Sequence, residues 1–218
     1  MTEAELVRKT LASSTEEFVG MVAAGTPTPG GGSVAAHAGQ LGAALGIMMC
    51  NLTAGKPKFI AVEPRILEIR GRLEDLSKQL GRLIDRDADS FQQVMAAYKL
   101  PKNSEQEAAE RSRQVAIALL QATVVPFDTV KSSFEVIRLL DELASIGNPN
   151  ALSDVASAAQ IAGAAMKAAY YNVAVNVGSL SESGEAREMG ASAKEMIAQA
   201  SIITGRIEEA FLKKMGAG

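Results

Sequence analysis

Two residue types that build many active sites are almost missing from this chain. It has one histidine, His37, and one cysteine, Cys50, among 218 residues. A zinc site of the usual kind needs several such ligands, and a Cys–His nucleophilic pair would depend on bringing just these two together. A lone cysteine also rules out an intramolecular disulfide. Tryptophan is absent and aromatics make up 4% of the chain, while alanine and glycine crowd the apolar stretches. A core made this way relies on closely approaching backbones, which favours helix on helix. Strong charge of either sign is missing too. The formal net charge is -3, and Lys and Arg are dispersed, without the basic cluster that a nucleic-acid footprint requires. The start does not read as a signal peptide. The most apolar run, Val34 to Leu52, is interrupted by His37, Gln40, Asn51 and several glycines, which argues against a membrane span. The expectation is one cytoplasmic domain over residues 1–218, with no nucleic-acid or membrane partner.

What is present is helical periodicity. Thr2 to Ala24 reads as an amphipathic helix with Leu6, Leu11, Phe18 and Val22 on its apolar face. TPTPGGGS, Thr26 to Ser33, reads as a shaped, non-helical loop, with Ser33 as the N-cap of a helix over Val34 to Ala54. That helix is apolar nearly all round, and Gly39, Ala43, Gly46 and Cys50 make a small-residue stripe suited to close packing. A long helix is expected over Glu63 to Tyr98, where Ile66, Ile69, Leu73, Leu76, Leu80, Leu83, Phe91, Val94 and Tyr98 form one stripe. A capping box at Ser104 to Glu107 opens the next, which Pro126 should kink or break before a further helix to Ile146. Pro149 to Leu180 and Glu185 to Met215 complete the series, with no strand pattern and no repeat. The fold class is an all-α bundle of long antiparallel helices, and the apolar character of the Val34 to Ala54 helix predicts a homodimer.

Several polar residues stand out against this background. PGGGS runs into a helix N-terminus, which is either a tight helix entry or a backbone that faces a ligand; it is neither a Walker loop nor a dinucleotide fingerprint. His37 shares a face with Gln40, Ala44, Ile47 and Asn51 and reads as packing. In LIDRDADSF the apolar stripe steps by four from Leu83 and lands on Asp87, so this carboxylate points inward while Asp85 and Asp89 fall off the line. An inward carboxylate is costly unless it is paired, hydrogen-bonded or functional, which makes Asp87 the leading catalytic candidate. Asp154 and Asn172 share a helix azimuth but lie about 27 Å apart, whereas Asn172 and Asn176, about 6 Å apart, could read one polar ligand or bond another helix. Asp154, near its helix start, also complements the dipole there, and Lys56 and Lys58 do so behind a helix C-terminus.

With these residues in hand, four blocks resemble the formiminotetrahydrofolate cyclodeaminase/methenyltetrahydrofolate cyclohydrolase family: TPTPGGGSVAAHAGQLGAALGIMMCNLTAGK, DADSFQQVMAAYKLPK, GNPNALSDV and NVAVNV, in family order from about Thr26 to Val177. The resemblance implies an all-helical homodimer that binds tetrahydrofolate derivatives in a cleft between helices or subunits. It carries over Gly30, Gly31, Gly32, Asn51, Lys56, Asn148, Asp154, Asn172 and Asn176 as candidate substrate-binding positions, with Asp87 as the catalytic candidate. His37 and Gln40 depart from the small or apolar residues usual in the family. The implied reaction is hydrolysis of 5,10-methenyltetrahydrofolate to 10-formyltetrahydrofolate. The alternatives are a formiminotetrahydrofolate cyclodeaminase that releases ammonia, and a noncatalytic folate-binding or helical interaction protein. The cyclohydrolase is preferred because the cyclodeaminase is often fused to a formiminotransferase domain. No metal and no cofactor beyond the folate-borne one-carbon substrate is implied.

Overall fold

Capping signals and apolar stripes place most of the helices. The computed structural model describes residues 13–180 and 182–216. Within them six α-helices follow one another: α1 (Thr15–Ala23), α2 (Gly31–Thr53), α3 (Glu63–Tyr98), α4 (Glu105–Ile146), α5 (Leu152–Ser179) and α6 (Gly184–Lys214). No strand occurs among the described residues. The helix expected from Thr2 is seen from Thr15, where Ser14 and Glu17 form a reciprocal capping box; Leu6 and Leu11 lie outside the described residues. The second capping box, Ser104 with Glu107, opens α4 as expected.

α2 to α5 form a four-helix core in which sequence neighbours run antiparallel, and α6 packs against α4 and α5. α2 is the central element. Its glycines let three helices approach: an added Cβ would meet Ser133 Oγ and Leu80 at Gly39, Ala158 and Ala162 at Gly42, and Leu73 and Leu140 at Gly46. The small-residue stripe is therefore used inside the chain, and it is not the surface left for a second copy. Around it Met49, Ile66, Ile69, Leu73, Leu80, Ile137, Leu140, Leu143 and Met166 are fully buried. By length and composition α2 and α4 would suffice to cross a membrane, and about half of each apolar window is buried in the bundle.

Three local expectations are corrected. The glycines do not all lie in a loop: Gly30 is the N-cap, and Gly31, Gly32 and Ser33 form the first turn of α2. Pro149 starts a 3-10 turn, Pro149–Ala151, and the α-helix begins at Leu152. Pro126 neither breaks nor ends its helix, for α4 runs unbroken over 42 residues. A proline there leaves the carbonyl four residues earlier without its N–H partner. That carbonyl belongs to Ala122, and the Asn176 side-chain amide on α5 donates to it at 3.0 Å. Another helix thus replaces the missing bond. Asn176→Ala should leave the carbonyl of the buried Ala122 unpaired and cost about 1–3 kcal/mol, read as a lower midpoint in thermal unfolding.

Candidate active site

The start of α2 meets the middle of α3, and there Asp87 occupies the place that a side chain on Gly32 would fill. A Cβ built on Gly32 would lie 2.1 Å from Asp87 Oδ1 and 2.7 Å from Oδ2. The half-buried carboxylate accepts from the Ser33 hydroxyl at 3.0 Å and from the Ser33 backbone N–H. It sits at the positive end of the α2 dipole, where a negative charge is favoured. Burial nonetheless pushes the Asp87 carboxyl above its ordinary value of 3.8, against the opposing pull of the two Ser33 hydrogen bonds. A carboxyl raised in this way is suited to giving and taking protons nearer neutrality.

The wall above Asp87 continues its helix line. The Leu80 and Asp87 side chains face α2 at Gly39 and Gly32, and between them the Ile84 backbone carbonyl accepts from Ser33. Phe91 and Tyr98 continue the same spacing past the point where α2 begins, and α3 projects about 16 Å beyond Asp87. Phe91, Met95 and Tyr98 are exposed. The Arg111 guanidinium on α4 lies 5.5 Å from the centre of the Tyr98 ring, and its Nε donates to the Tyr98 carbonyl. The result is an apolar, aromatic ledge with a carboxylate at its foot and a cation at its far end.

The candidate residues separate into two groups. Asp87, Gly30, Gly31, Gly32 and Asn172 come together: the Gly31 Cβ position is 3.7 Å from Asn172 Nδ2, an ordinary contact, and Asn172 Nδ2 also donates to Ala168 O. Asn176 is one turn further along α5, its amide committed to Ala122. Asn51, Lys56, Asn148 and Asp154 lie at the opposite end, since Gly31 and Asn51 are about 30 Å apart along α2. There Asn51 accepts from Arg70 at 3.3 Å, and Lys56 caps a 3-10 turn. Asn148 ties the start of α5 to the end of α2: its side chain donates to Leu52 O at 3.0 Å and its backbone N–H to Thr53 Oγ1 at 2.9 Å. Asp154 lies in the first turn of α5. One bound molecule of ordinary substrate size touches only one of these groups within a chain.

The neighbouring acids behave differently from each other. Asp89 is exposed, whereas Asp85 is half-buried and so is not a solvent-facing counterpart. His37 packs against Phe18 in a tilted arrangement, with ring centres 4.9 Å apart. Cys50 is buried, and burial pushes its thiol up to about 11, which leaves it a poor nucleophile. A separate cavity of about 310 Å³ between α5 and α6 is lined by Lys167, Thr204 and Glu208 among others, and by none of the predicted site residues. The residue that sequence reasoning missed is Ser33. Read as a helix cap, it is instead fully buried against Asp87, and the only local signal is its place next to the glycine run.

Comparison with known proteins gives concordant matches. Residues 14–195 match the family model described as formiminotransferase-cyclodeaminase. A methenyltetrahydrofolate cyclohydrolase from Methylorubrum extorquens is 38% identical over 200 residues, covering 92% of this chain and 96% of its own. A formimidoyltransferase-cyclodeaminase from Rattus norvegicus is 32% identical over 91% of this chain, which spans only 37% of that longer protein. The crystal structure of a formiminotetrahydrofolate cyclodeaminase from Thermotoga maritima superposes with a TM-score of 0.84 at 31% identity, covering 93% of this chain and 98% of its own.

Proposed function

The chain belongs to the formiminotransferase-cyclodeaminase family, and on that premise we propose that it is a methenyltetrahydrofolate cyclohydrolase with Asp87 as its acid–base group. The observation that carries this reading is the Asp87 carboxylate held over Gly32 at the foot of an aromatic ledge. The similarity to the Methylorubrum extorquens enzyme over nearly the full length of both chains supports the same choice.

The chemistry follows from charge. The methenyl group is a delocalised cation bridging N5 and N10, so an ionised carboxylate beside it offsets that charge. Asp87 takes a proton from water as the water oxygen bonds to the bridging carbon, giving a tetrahedral carbon that bears oxygen and two nitrogens. Asp87 then returns the proton to N5 as the carbon–N5 bond breaks, and the hydroxyl proton leaves as the formyl carbonyl forms on N10. One water is consumed and one proton is released. The flat rings of the folate lie along Phe91 and Tyr98, with Arg111 towards the carboxylate tail. Asn172 and the α2 backbone position the reacting end.

A cyclodeaminase needs the same tools, and the Thermotoga maritima neighbour, similar over nearly its whole length, bears that name. The test is direct. Purified protein should bleach the absorbance of 5,10-methenyltetrahydrofolate faster than buffer does. Ammonia release from 5-formiminotetrahydrofolate without methenyl hydrolysis would favour the cyclodeaminase, and tight folate binding with neither turnover would favour a binding protein.

The reading includes a homodimer. Val34, Leu41, Met48 and Leu52 repeat at intervals of seven, seven and four along one exposed face of α2. Burying such a face against its own copy would cover the largest apolar stripe on the central helix. Light scattering should give twice the 22.8 kDa chain mass, and Leu41→Lys with Met48→Lys should halve it.

A further inference from the structure

Ser33 has one hydroxyl hydrogen and two oxygens within reach. Its Oγ lies 3.0 Å from Asp87 Oδ2 and 3.0 Å from the Ile84 carbonyl, and the side chain is fully buried. An ionised Asp87 only accepts, so the single hydrogen then points at Oδ2 and the Ile84 contact carries no proton. A protonated Asp87 donates from Oδ2 to Ser33 Oγ, and the Ser33 hydrogen turns to Ile84 O. Both contacts are then hydrogen bonds. Either charge state is thus satisfied by rotation of one hydroxyl, with no heavy atom moved.

We propose that Ser33 is a positioning residue for Asp87, a two-position hydroxyl that keeps the carboxyl hydrogen-bonded and in place both before and after it takes a proton. The balance is simple: the O–H bond of water breaks, an O–H bond forms on Asp87, and the Ser33 hydrogen changes acceptor. No further reactant is required. A buried carboxyl without such a partner would be left unsatisfied in one state or the other, which slows a group that must cycle between them.

Other ionisable groups do not account for the behaviour of Asp87. On α3 its neighbours are Asp85, Arg86 and Asp89. On α4, Asp128 pairs with Arg86 at 3.6 Å and with Lys131 at 2.8 Å, and on α2 His37 is one turn beyond Ser33. The causes that shift the Asp87 carboxyl are its burial and Ser33.

The role assigned to Ser33 rests on Asp87 being the acid–base group, so the experiment needs one readout that is independent of turnover. Ser33→Ala and Ser33→Cys, a near-isosteric but weak donor, are compared with the parent protein by carboxyl-carbon NMR titration of Asp87. They are also compared by the pH dependence of kcat with the methenyl substrate, with thermal unfolding confirming the fold. In Ser33→Ala the Asp87 titration and the acid limb of kcat should both move to higher pH, since the ionised form has lost a donor. kcat should fall roughly tenfold or more, KM should change little, and Ser33→Cys should lie between. An Asp87 titration that stays put in Ser33→Ala overturns the proposal even where activity falls. A titration that moves in a protein with no turnover leaves the Ser33 pairing standing and overturns the reaction assigned to Asp87.

Discussion

Asp87→Asn should lose roughly a hundredfold or more in methenyltetrahydrofolate turnover, the scale of a positioned proton transfer, and should unfold no earlier than the parent protein. The two halves of this result follow from one fact. Asn is nearly isosteric and still accepts from Ser33, but it neither carries charge nor takes the proton. Burial raises the Asp87 carboxyl in the folded chain, so the folded state holds its proton to higher pH than the unfolded state does. Below the ordinary carboxylate range the two states are alike. As pH rises through that range the unfolded chain loses the proton first, stability falls, and the deficit is complete above the raised folded value. Asn escapes this deficit, so at neutral pH its melting temperature should equal or exceed that of the parent, and the difference should vanish in acid. Turnover of the parent should fall as pH drops through the raised value, because the base is then already protonated. Asp89→Asn, at an exposed position, is the control. A fully active Asp87→Asn enzyme would end the mechanism, and a lowered melting temperature with turnover per folded molecule intact would make the carboxylate structural.

Gly32→Ala is expected to have an effect of similar size for a steric reason. The added methyl would sit 2.1 Å from Asp87 Oδ1 and 2.5 Å from Cγ, so the carboxylate must leave Ser33. Misplacement by an ångström is enough to cost about a hundredfold in a positioned reaction. The fold should survive, since alanine favours a helix over glycine by about 1 kcal/mol, and that gain opposes the strain. Gly71→Ala, with nothing within 4 Å of the new methyl, isolates the propensity gain and should be fully active. Turnover and circular dichroism on both variants decide the matter: an active Gly32→Ala enzyme would show that Asp87 works from somewhere else.

Asp87 is legible in the sequence because a stripe stepping by three and four lands on it, and the same regularity yields α3 almost to the residue. The capping box at Ser104 is local chemistry and marks a helix start without knowledge of the fold, whereas the one at Ser14 is passed over because the helical pattern read from Thr2 runs straight through it. Ser33 is not legible, because its partner is 54 positions away and its capping preference is satisfied equally well on paper. The glycine run has the same difficulty. Gly32 is required by a side chain from α3, while the sequence offers only a choice between helix entry and ligand contact. Gly39 and Gly46 mislead in the opposite direction, since close packing inside the chain and close packing between chains call for the same small residues. Asn51, Lys56, Asn148 and Asp154 are carried over by family resemblance, and that resemblance does not say that they gather at the end of the bundle away from Asp87.

Pro126 and Asn176 are linked through the Ala122 carbonyl, which the one deprives of its helical donor and the other supplies with a new one. Without the amide of Asn176, the proline would leave the Ala122 carbonyl with no donor inside the chain, so the two residues form one energetic unit. Replacing Pro126 by a residue with a backbone N–H should therefore relax the requirement at position 176, so that the two substitutions together cost less than the sum of each alone.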